Sequence, residues 1–237
     1  MNTLEHEHGM KSLEVSNQVG TTYIISNTEA TSIDISNCSQ CCFYLNKHFD
    51  AVIFRHCTDL LVYIEKTSIV SIDFCTSSKF TMYISDLRVT KCHDLVLFLK
   101  ITNRPILCES SYNIKLAPFN AVVPDHSPGT SNLWDQPIVQ SSATYLFLPP
   151  SDFLPLILPY NTSATSICVP LPKIYKDSLH QREITTEERR EMVEKFCQKY
   201  PEFASSMQEK IQQSFQKYLQ STKCIEHLNQ LQNAIFF

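Results

Sequence analysis

The sequence predicts a mainly β protein, a parallel β-helix followed by an α-helical tail, and a repeated cysteine is the main reason. Five cysteines recur at intervals of 19, 18, 17 and 16 residues: Cys38, Cys57, Cys75, Cys92 and Cys108. A strand-like triplet begins five to seven residues after each of them, as in Val62-Tyr63-Ile64. A period near 18 with short strands is typical of coils that stack so that like side chains form columns.

A second strand is predicted in front of the cysteines, because apolar residues alternate there with a period of two. The pairs are Ile33/Ile35, Val52/Phe54, Val70/Ile72 and Leu87/Val89. Side chains alternate between the two faces of a strand, so cysteines that continue this phase should point into the core. Because the chain has only three glycines, we expect Asn, Asp, Ser and Thr to form the corners between strands.

Composition limits the class of protein. The 237 residues are 43% hydrophobic and carry a net charge of -4, which is typical of a globular chain with a real core. No run of Lys or Arg exceeds two residues, so we expect no nucleic-acid partner. The apolar runs are too short for a membrane span and residues 1–12 contain no signal-peptide core, so we expect a cytoplasmic protein.

The ten cysteines could indicate disulfides or a metal site. They make up about 4% of the chain, below the density of a disulfide scaffold. Cys38 and Cys41 have the spacing of zinc ligands, with Cys42 and His48 nearby, but a second such pair is missing. We therefore expect reduced thiols and no metal. The chain also has no glycine-rich phosphate-binding motif, so we expect no cofactor.

Composition changes along the chain predict four segments. Residues 1–20 are polar and should form a leader, and residues 21–140 contain the repeat of the β-helix. Residues 141–182 are rich in Pro and Ser and should wrap the β-helix or cap its open end. Residues 183–237 have a helical period and should form the tail. An exposed terminal rung would also allow two chains to associate end to end.

Two helices are expected in the tail. Thr185 and Thr186 precede two glutamates, so the first helix should begin near Glu187 and end before Pro201. Apolar residues then recur at helical spacing: Phe203, Met207, Ile211, Phe215, Tyr218 and Leu219, and farther on Ile225, Leu228, Leu231 and Ile235. This stripe either docks on the β-helix or its wrapping segment, or recruits a partner helix.

Two motifs in the second half of the repeat resemble a known family. Arg104-Pro105-Ile106 is followed by Leu116-Ala117-Pro118-Phe119-Asn120, downstream of Leu87-Arg88-Val89 and Cys92-His93-Asp94. This region, about residues 20–140, resembles the C-CAP/TBCC domain of tubulin-binding cofactor C and its relatives. The resemblance implies a right-handed parallel β-helix. The Asn132–Pro137 and Leu171–Tyr175 segments and the helical tail resemble those relatives whose domain does not end the chain.

The resemblance implies a role for Arg88. In cofactor C and in retinitis pigmentosa protein 2, an arginine on this strand is a finger that stimulates GTP hydrolysis by β-tubulin or by an Arf-like GTPase. Such a guanidinium neutralises charge that develops at the γ-phosphate and is worth about 10³ to 10⁵ in rate. The period of two places Arg88 on the outside of its strand. We expect Arg104 at the equivalent place one rung on, so that the two form a basic ridge.

Asp86 departs from the family pattern, which has a glutamine two residues before the finger. A carboxylate there would meet phosphates with the wrong charge, or would pair with Arg88 and hold it away from a GTPase. The resemblance therefore favours a non-enzymatic adaptor of the centrosome, spindle pole or basal body, which binds cytoskeletal proteins and supports organelle positioning. The alternative is a GTPase-activating protein for tubulin or an Arf-like GTPase, acting in trans through Arg88.

A third class, carbohydrate-active β-helix enzymes, needs clustered carboxylates at one outward position on adjacent rungs. The outward acids of the repeat are Asp34, Glu65, Asp73 and Asp86. They form no such column in the predicted register, so the sequence does not favour this class.

Overall fold

The computed structural model describes residues 11–123, 132–160, 167, 169–221 and 235–236. These residues form two compact units. The first contains the described residues up to 148, those within 155–170, and the C-terminal pair, whereas the second contains residues 149–154 and 171–221. Within the described ranges, no helix is long and apolar enough to cross a membrane.

The first unit is a parallel β-helix of short strands, as the sequence predicts. The strands are β1 (Ser12–Ser16), β2 (Thr22–Ile25), β3 (Ser32–Ser36), β4 (Cys42–Arg55), β5 (Leu61–Asp73), β6 (Lys79–Thr90), β7 (Val96–Ile101), β8 (Ile106–Leu107), β9 (Ile114–Pro118), β10 (Ala121–Val122), β11 (Ile138–Val139), β12 (Tyr145–Phe147), β13 (Leu156–Ile157) and β14 (Ile235–Phe236). All pairings between these strands are parallel.

Each coil contributes one stretch of strand to each of two faces, called face A and face B. Face A contains β1, β3, the C-terminal halves of β4, β5 and β6, and then β8 and β11. Face B contains β2, the N-terminal halves of β4, β5 and β6, and then β7, β9 and β12. The long strands β4, β5 and β6 therefore run from face B of one rung to face A of the next.

Inward columns explain the repeat in the sequence. Ile35, Phe54 and Ile72 are in register on consecutive rungs of face A, and all three side chains are fully buried. The five repeated cysteines are also buried, as predicted. The thiols of the first four form hydrogen bonds with backbone carbonyl oxygens where the strand ends; the Cys57 thiol, for example, donates to the carbonyl oxygen of Arg55 at 3.2 Å. A small apolar side chain with a weak donor therefore suits this column.

The corners are formed by residues in the left-handed backbone region. In the described part of the chain, twelve non-glycine residues have φ between 51 and 58°: Asn17, Asn37, Gln40, His56, Asp59, Phe74, Ser77, Lys91, Asp94, Ser110, Asn113 and Ser141. Eight of them are Asn, Asp or Ser, as predicted. Phe74 is unexpected, because this conformation costs a bulky residue about 1–2 kcal/mol. Its ring stacks on that of His56 at 4.7 Å and lies 5.1 Å from the Lys91 ammonium, and these contacts offset part of the cost.

The first rung begins earlier than the sequence predicts. β1 lies inside the segment predicted as a leader, because Leu13 and Val15 continue the inward columns of Ile33 and Ile35. Two apolar residues two positions apart are too weak a signal for a strand without the rung that covers them. The leader prediction for residues 1–10 lies outside the described residues.

The segment predicted to wrap or cap the β-helix has parts with different roles. β12 completes the last rung of face B rather than wrapping it. Farther on, β13 pairs with β10, and the ring of Tyr160 packs edge-on against Tyr44 at 5.6 Å while its hydroxyl donates to Asn46. The part around Tyr160 therefore covers the outward side of face B, where Tyr44 and Tyr63 are buried.

The second unit is helical, but its first helix begins 14 residues before the predicted start. α1 spans Lys173–Lys199 and α2 spans Pro201–Ser221. Thr185 and Thr186 do not cap a helix. Their hydroxyls donate to the carbonyl oxygens four residues earlier, at 2.9 and 2.8 Å, which is how threonines behave inside a helix. α1 instead follows Pro172, and the ring of Tyr175 packs against Phe153 at 5.0 Å.

The predicted apolar stripe lies partly on α2, where three of its residues are exposed and two, Met207 and Leu219, are half-buried. Ile211, Phe215 and Tyr218 are each more than half exposed. Ile225, Leu228 and Leu231 lie outside the described residues, as does the side chain of Phe203. The prediction that Ile235 continues the helical stripe is wrong, because it belongs to β14 and pairs with Tyr23 of β2.

Candidate interaction site on face A

Arg88 lies at the centre of the candidate site, on the outward side of face A. Its neighbours Leu87 and Val89 are buried, whereas Arg88 is exposed. It pairs with Ser71 on the preceding rung and with Ile106 on the following one. The outward direction that the period of two predicts is therefore confirmed.

Arg104 is not the next member of the Arg88 column, so the predicted placement is wrong. Ile106 occupies that position, two residues farther along the chain. The coil between β7 and β8 is two residues longer than the alignment of the two arginines requires. The Arg104 guanidinium donates instead to the carbonyl oxygens of Gln136 and Pro137, at 2.8 and 3.4 Å. It ties the segment before β11 to the solenoid, and a role for it in binding a partner stays a prediction.

Asp86 is held by a residue that the sequence did not single out. The Asn103 side-chain amide donates to Oδ1 of Asp86 at 2.8 Å. In the described part of the chain, neither a hydrogen bond nor an ion pair joins Asp86 to Arg88. No sequence signal could have identified Asn103, because its position depends on how the coil between β7 and β8 turns onto the next rung.

Electrostatics distinguish Arg88 from the other two arginines of this region. Arg55 forms an ion pair with Asp34 at 2.6 Å, and Arg104 is bonded to carbonyl oxygens. Among the described residues, the Arg88 guanidinium has no hydrogen-bond or ion-pair partner. A planar guanidinium in this state can bind a carboxylate or a phosphate through two parallel hydrogen bonds.

The cysteine cluster with zinc-like spacing faces the core. Cys38 and Cys41 are buried, and their thiols lie 3.3 and 3.2 Å from the carbonyl oxygens of Ser36 and Ser39. Burial raises the pKa of Cys42 to about 11, which keeps its thiol protonated at neutral pH. His48 is exposed. Within the described residues, no three His, Cys, Asp or Glu side chains are placed to hold a metal ion.

Three of the four outward acids named from the sequence have register partners, and these three stand in different columns, as predicted. Asp34 pairs with Ile53, Asp86 with Ile69, and Asp73 with Thr90. The sequence analysis missed one pair of neighbouring acids. Glu14 of β1, a strand that was not predicted, is in register with Asp34. Arg55 already neutralises Asp34, so this pair does not reproduce the two free carboxylates of a glycosidase.

Comparison with known proteins agrees with this architecture. The family model for tubulin binding cofactor C, the TBCC domain, matches residues 30–143. This match and the position of the matched residues in the solenoid support assignment of the β-helix to the TBCC family. The chain is also 28% identical over 176 residues to TBCC domain-containing protein 1 of Danio rerio. That match covers 66% of this chain but 30% of the relative, so the chain spans about a third of the relative's length.

The TBCC domain contains the whole candidate site. Its matched region runs from just before β3 to just before β12, and it includes Arg88, Asp86 and Asn103. β1 and both long helices lie outside the matched region. The candidate site around Arg88 therefore lies within the matched region, and the stripe on α2 lies outside it.

Proposed function

We propose that this chain is a non-enzymatic adaptor of the microtubule cytoskeleton, located at the centrosome, spindle pole or basal body, where it supports organelle positioning. Similarity to TBCC domain-containing protein 1 supports the class of protein. The observation that carries the adaptor role is the exposed apolar stripe on α2. A helix that presents such a stripe is suited to bind the groove of another protein.

The stripe has the geometry of a helical recognition surface. Ile211, Phe215 and Tyr218 are separated by four and three residues, so they lie on one side of α2. Each keeps more than half of its surface exposed. Fully burying a large apolar side chain contributes roughly 1.5–3 kcal/mol, so each of the three can serve as an anchor in a partner's groove.

Depletion and rescue in cells of the source organism test the adaptor function. Loss of the protein should displace centrosomes, basal bodies or the Golgi, and the wild-type protein should restore them. The double variant Ile211→Asp, Phe215→Asp should not restore them, because it places two charges in the stripe. A matched control, Gln213→Asp with Gln220→Asp, changes the opposite side of α2 and should rescue. Normal organelle placement in depleted cells would exclude this function.

A second candidate function is activation of GTP hydrolysis by tubulin or an Arf-like GTPase. The unpaired, exposed Arg88 favours it, because a finger must enter the partner's site without first breaking an ion pair. The Asn103–Asp86 hydrogen bond also supports it, since it holds the carboxylate without engaging Arg88.

Single-turnover GTP hydrolysis separates the two functions. The wild-type protein, Arg88→Ala and Asp86→Gln are compared side by side with tubulin and with Arf-like GTPases. Stimulation that disappears with Arg88→Ala would establish an activator. Stimulation only by Asp86→Gln would identify a finger that its neighbour disables. If none of the three stimulates hydrolysis, Arg88 is not a finger for these GTPases and the adaptor function stands alone.

A further inference from the structure

The two ends of the β-helix differ in how their inward columns are covered. At the last rung, Val139 and Phe147 are the final members of inward columns and are 41% and 48% exposed. The residues in register with them one rung earlier, Leu107 and Leu116, are fully buried. The packing of Trp134 against Phe147 at 5.6 Å covers only part of this end. The hydrophobic core is therefore open at its C-terminal rung.

The backbone at this rung is open as well. Within the described residues, β11 pairs only with β8, and β12 pairs only with β9. Each strand thus presents one edge of unpaired amide and carbonyl groups, on two adjacent faces of the same rung. Solenoids normally end in polar capping structure, and exposed edge strands normally carry charges that prevent pairing. Residues 136–151 contain no charged residue at all.

The first rung is different. Val15 and Tyr23 are buried, and the edge of β2 is covered by β14 from the C-terminus of the chain. Charged residues flank β1, among them Lys11, which forms an ion pair with Glu29. Continuous head-to-tail stacking would have to displace β14 and place charges against an apolar end. A pairing of two identical C-terminal ends avoids both costs.

We infer that the C-terminal rung is a self-association surface that receives the same rung of a second copy, end to end. A twofold axis through the corner between faces A and B lays β11 of each copy antiparallel on β12 of the other. This arrangement pairs both open edges at once and buries Val139 and Phe147 of both copies. Because residues 136–151 carry no charge, β11 and β12 of two copies meet without like-charge repulsion between these strands. The interface is isologous, so assembly stops at the dimer.

Sedimentation equilibrium of the full chain over a concentration series tests this inference. The wild-type protein should be a dimer that dissociates on dilution. Leu146→Lys should weaken dimerisation by about a hundredfold or more, because each copy would place a charge beside the uncharged β11 of the other copy, where no acidic residue can pair with it. Leu146 is 60% exposed, so the substitution should not disturb the fold, and circular dichroism checks this.

Ile69→Lys is the matched control, since Ile69 is 53% exposed on an inner rung of face A. It should leave the dimer intact. A wild-type monomer at every concentration, an unchanged dimer in Leu146→Lys, or equal loss in Ile69→Lys would each overturn the inference. Species that grow beyond the dimer with concentration would also overturn it, because they require head-to-tail stacking.

Discussion

Large apolar side chains are buried in the β-helix, whereas several of those in the helical unit are exposed. In the β-helix, Phe43, Phe54 and Phe80 lie in inward columns with no exposed surface. In the helical unit, Ile211 and Phe215 are more than half exposed. Both sets of residues follow a strict period in the sequence, of two in the strands and about 3.6 in the helix. Periodicity therefore fixes the side of the element that is apolar, but not whether anything covers it.

The difference follows from what covers the apolar side of each element. Each rung of the β-helix is covered by the next rung, so an inward side chain is buried wherever the repeat continues. A single amphipathic helix has no such neighbour in its own sequence and needs a separate partner. The β-helix should thus lose stability when its apolar residues are truncated, whereas the helical unit should lose binding.

The largest expected effect is truncation in an inward column. Phe54 is fully buried and packs edge-on against Phe80 with ring centroids 5.1 Å apart. Phe54→Ala should reduce the free energy of unfolding by roughly 3–5 kcal/mol, because the close-packed rungs cannot collapse onto the cavity. Urea denaturation monitored by far-ultraviolet circular dichroism measures the change.

Phe215→Ala on α2 is the comparison for this variant. The same truncation at an exposed site should change the free energy of unfolding by less than about 0.5 kcal/mol. Similar losses for the two variants would show that the stripe on α2 is part of the core, and the contrast between the two units would then be wrong.

A smaller effect is expected at alkaline pH from the outward side of face B. Burial, with a smaller contribution from Cys42, raises the pKa of Tyr44 to about 12, from 10 in the unfolded chain. The neutral phenol is therefore favoured in the folded state, and its contribution of roughly 2–3 kcal/mol is fully present below pH 10. This contribution is lost as the pH rises from 10 to 12.

Tyr44→Phe isolates this effect from the other buried tyrosines and thiols. The wild-type protein and the variant are unfolded with urea at pH 9 and at pH 11.5. The wild-type protein should lose more stability between the two values than the variant does. Equal losses would mean that Tyr44 titrates normally, and that the segment around Tyr160 does not shield face B from solvent.

The sequence predicted the parts of the fold that repeat, and missed those that occur once. Ile35, Phe54 and Ile72 share a column that spacing alone reveals. The start of α1 was missed because it depends on Tyr175 packing against Phe153, a contact with no periodic signature. The same holds at the candidate site. Arg88 was placed correctly by its phase in β6, whereas the Asn103–Asp86 hydrogen bond depends on the path of one irregular coil.

Among the variants of the β-helix, the smallest loss of stability is expected at a corner, a feature that the described part of the helical unit lacks. Asn37 is exposed and adopts φ of 53°, and its backbone N–H donates to the Arg55 carbonyl oxygen at 3.0 Å. Asn37→Ala should cost about 1 kcal/mol, because a Cβ without a polar side chain disfavours this conformation. Asn37→Gly should cost less in the folded state, since glycine adopts positive φ without strain. If urea denaturation ranks alanine at or above glycine, the left-handed corners do not constrain the choice of residue, and the repeat is specified by its inward columns alone.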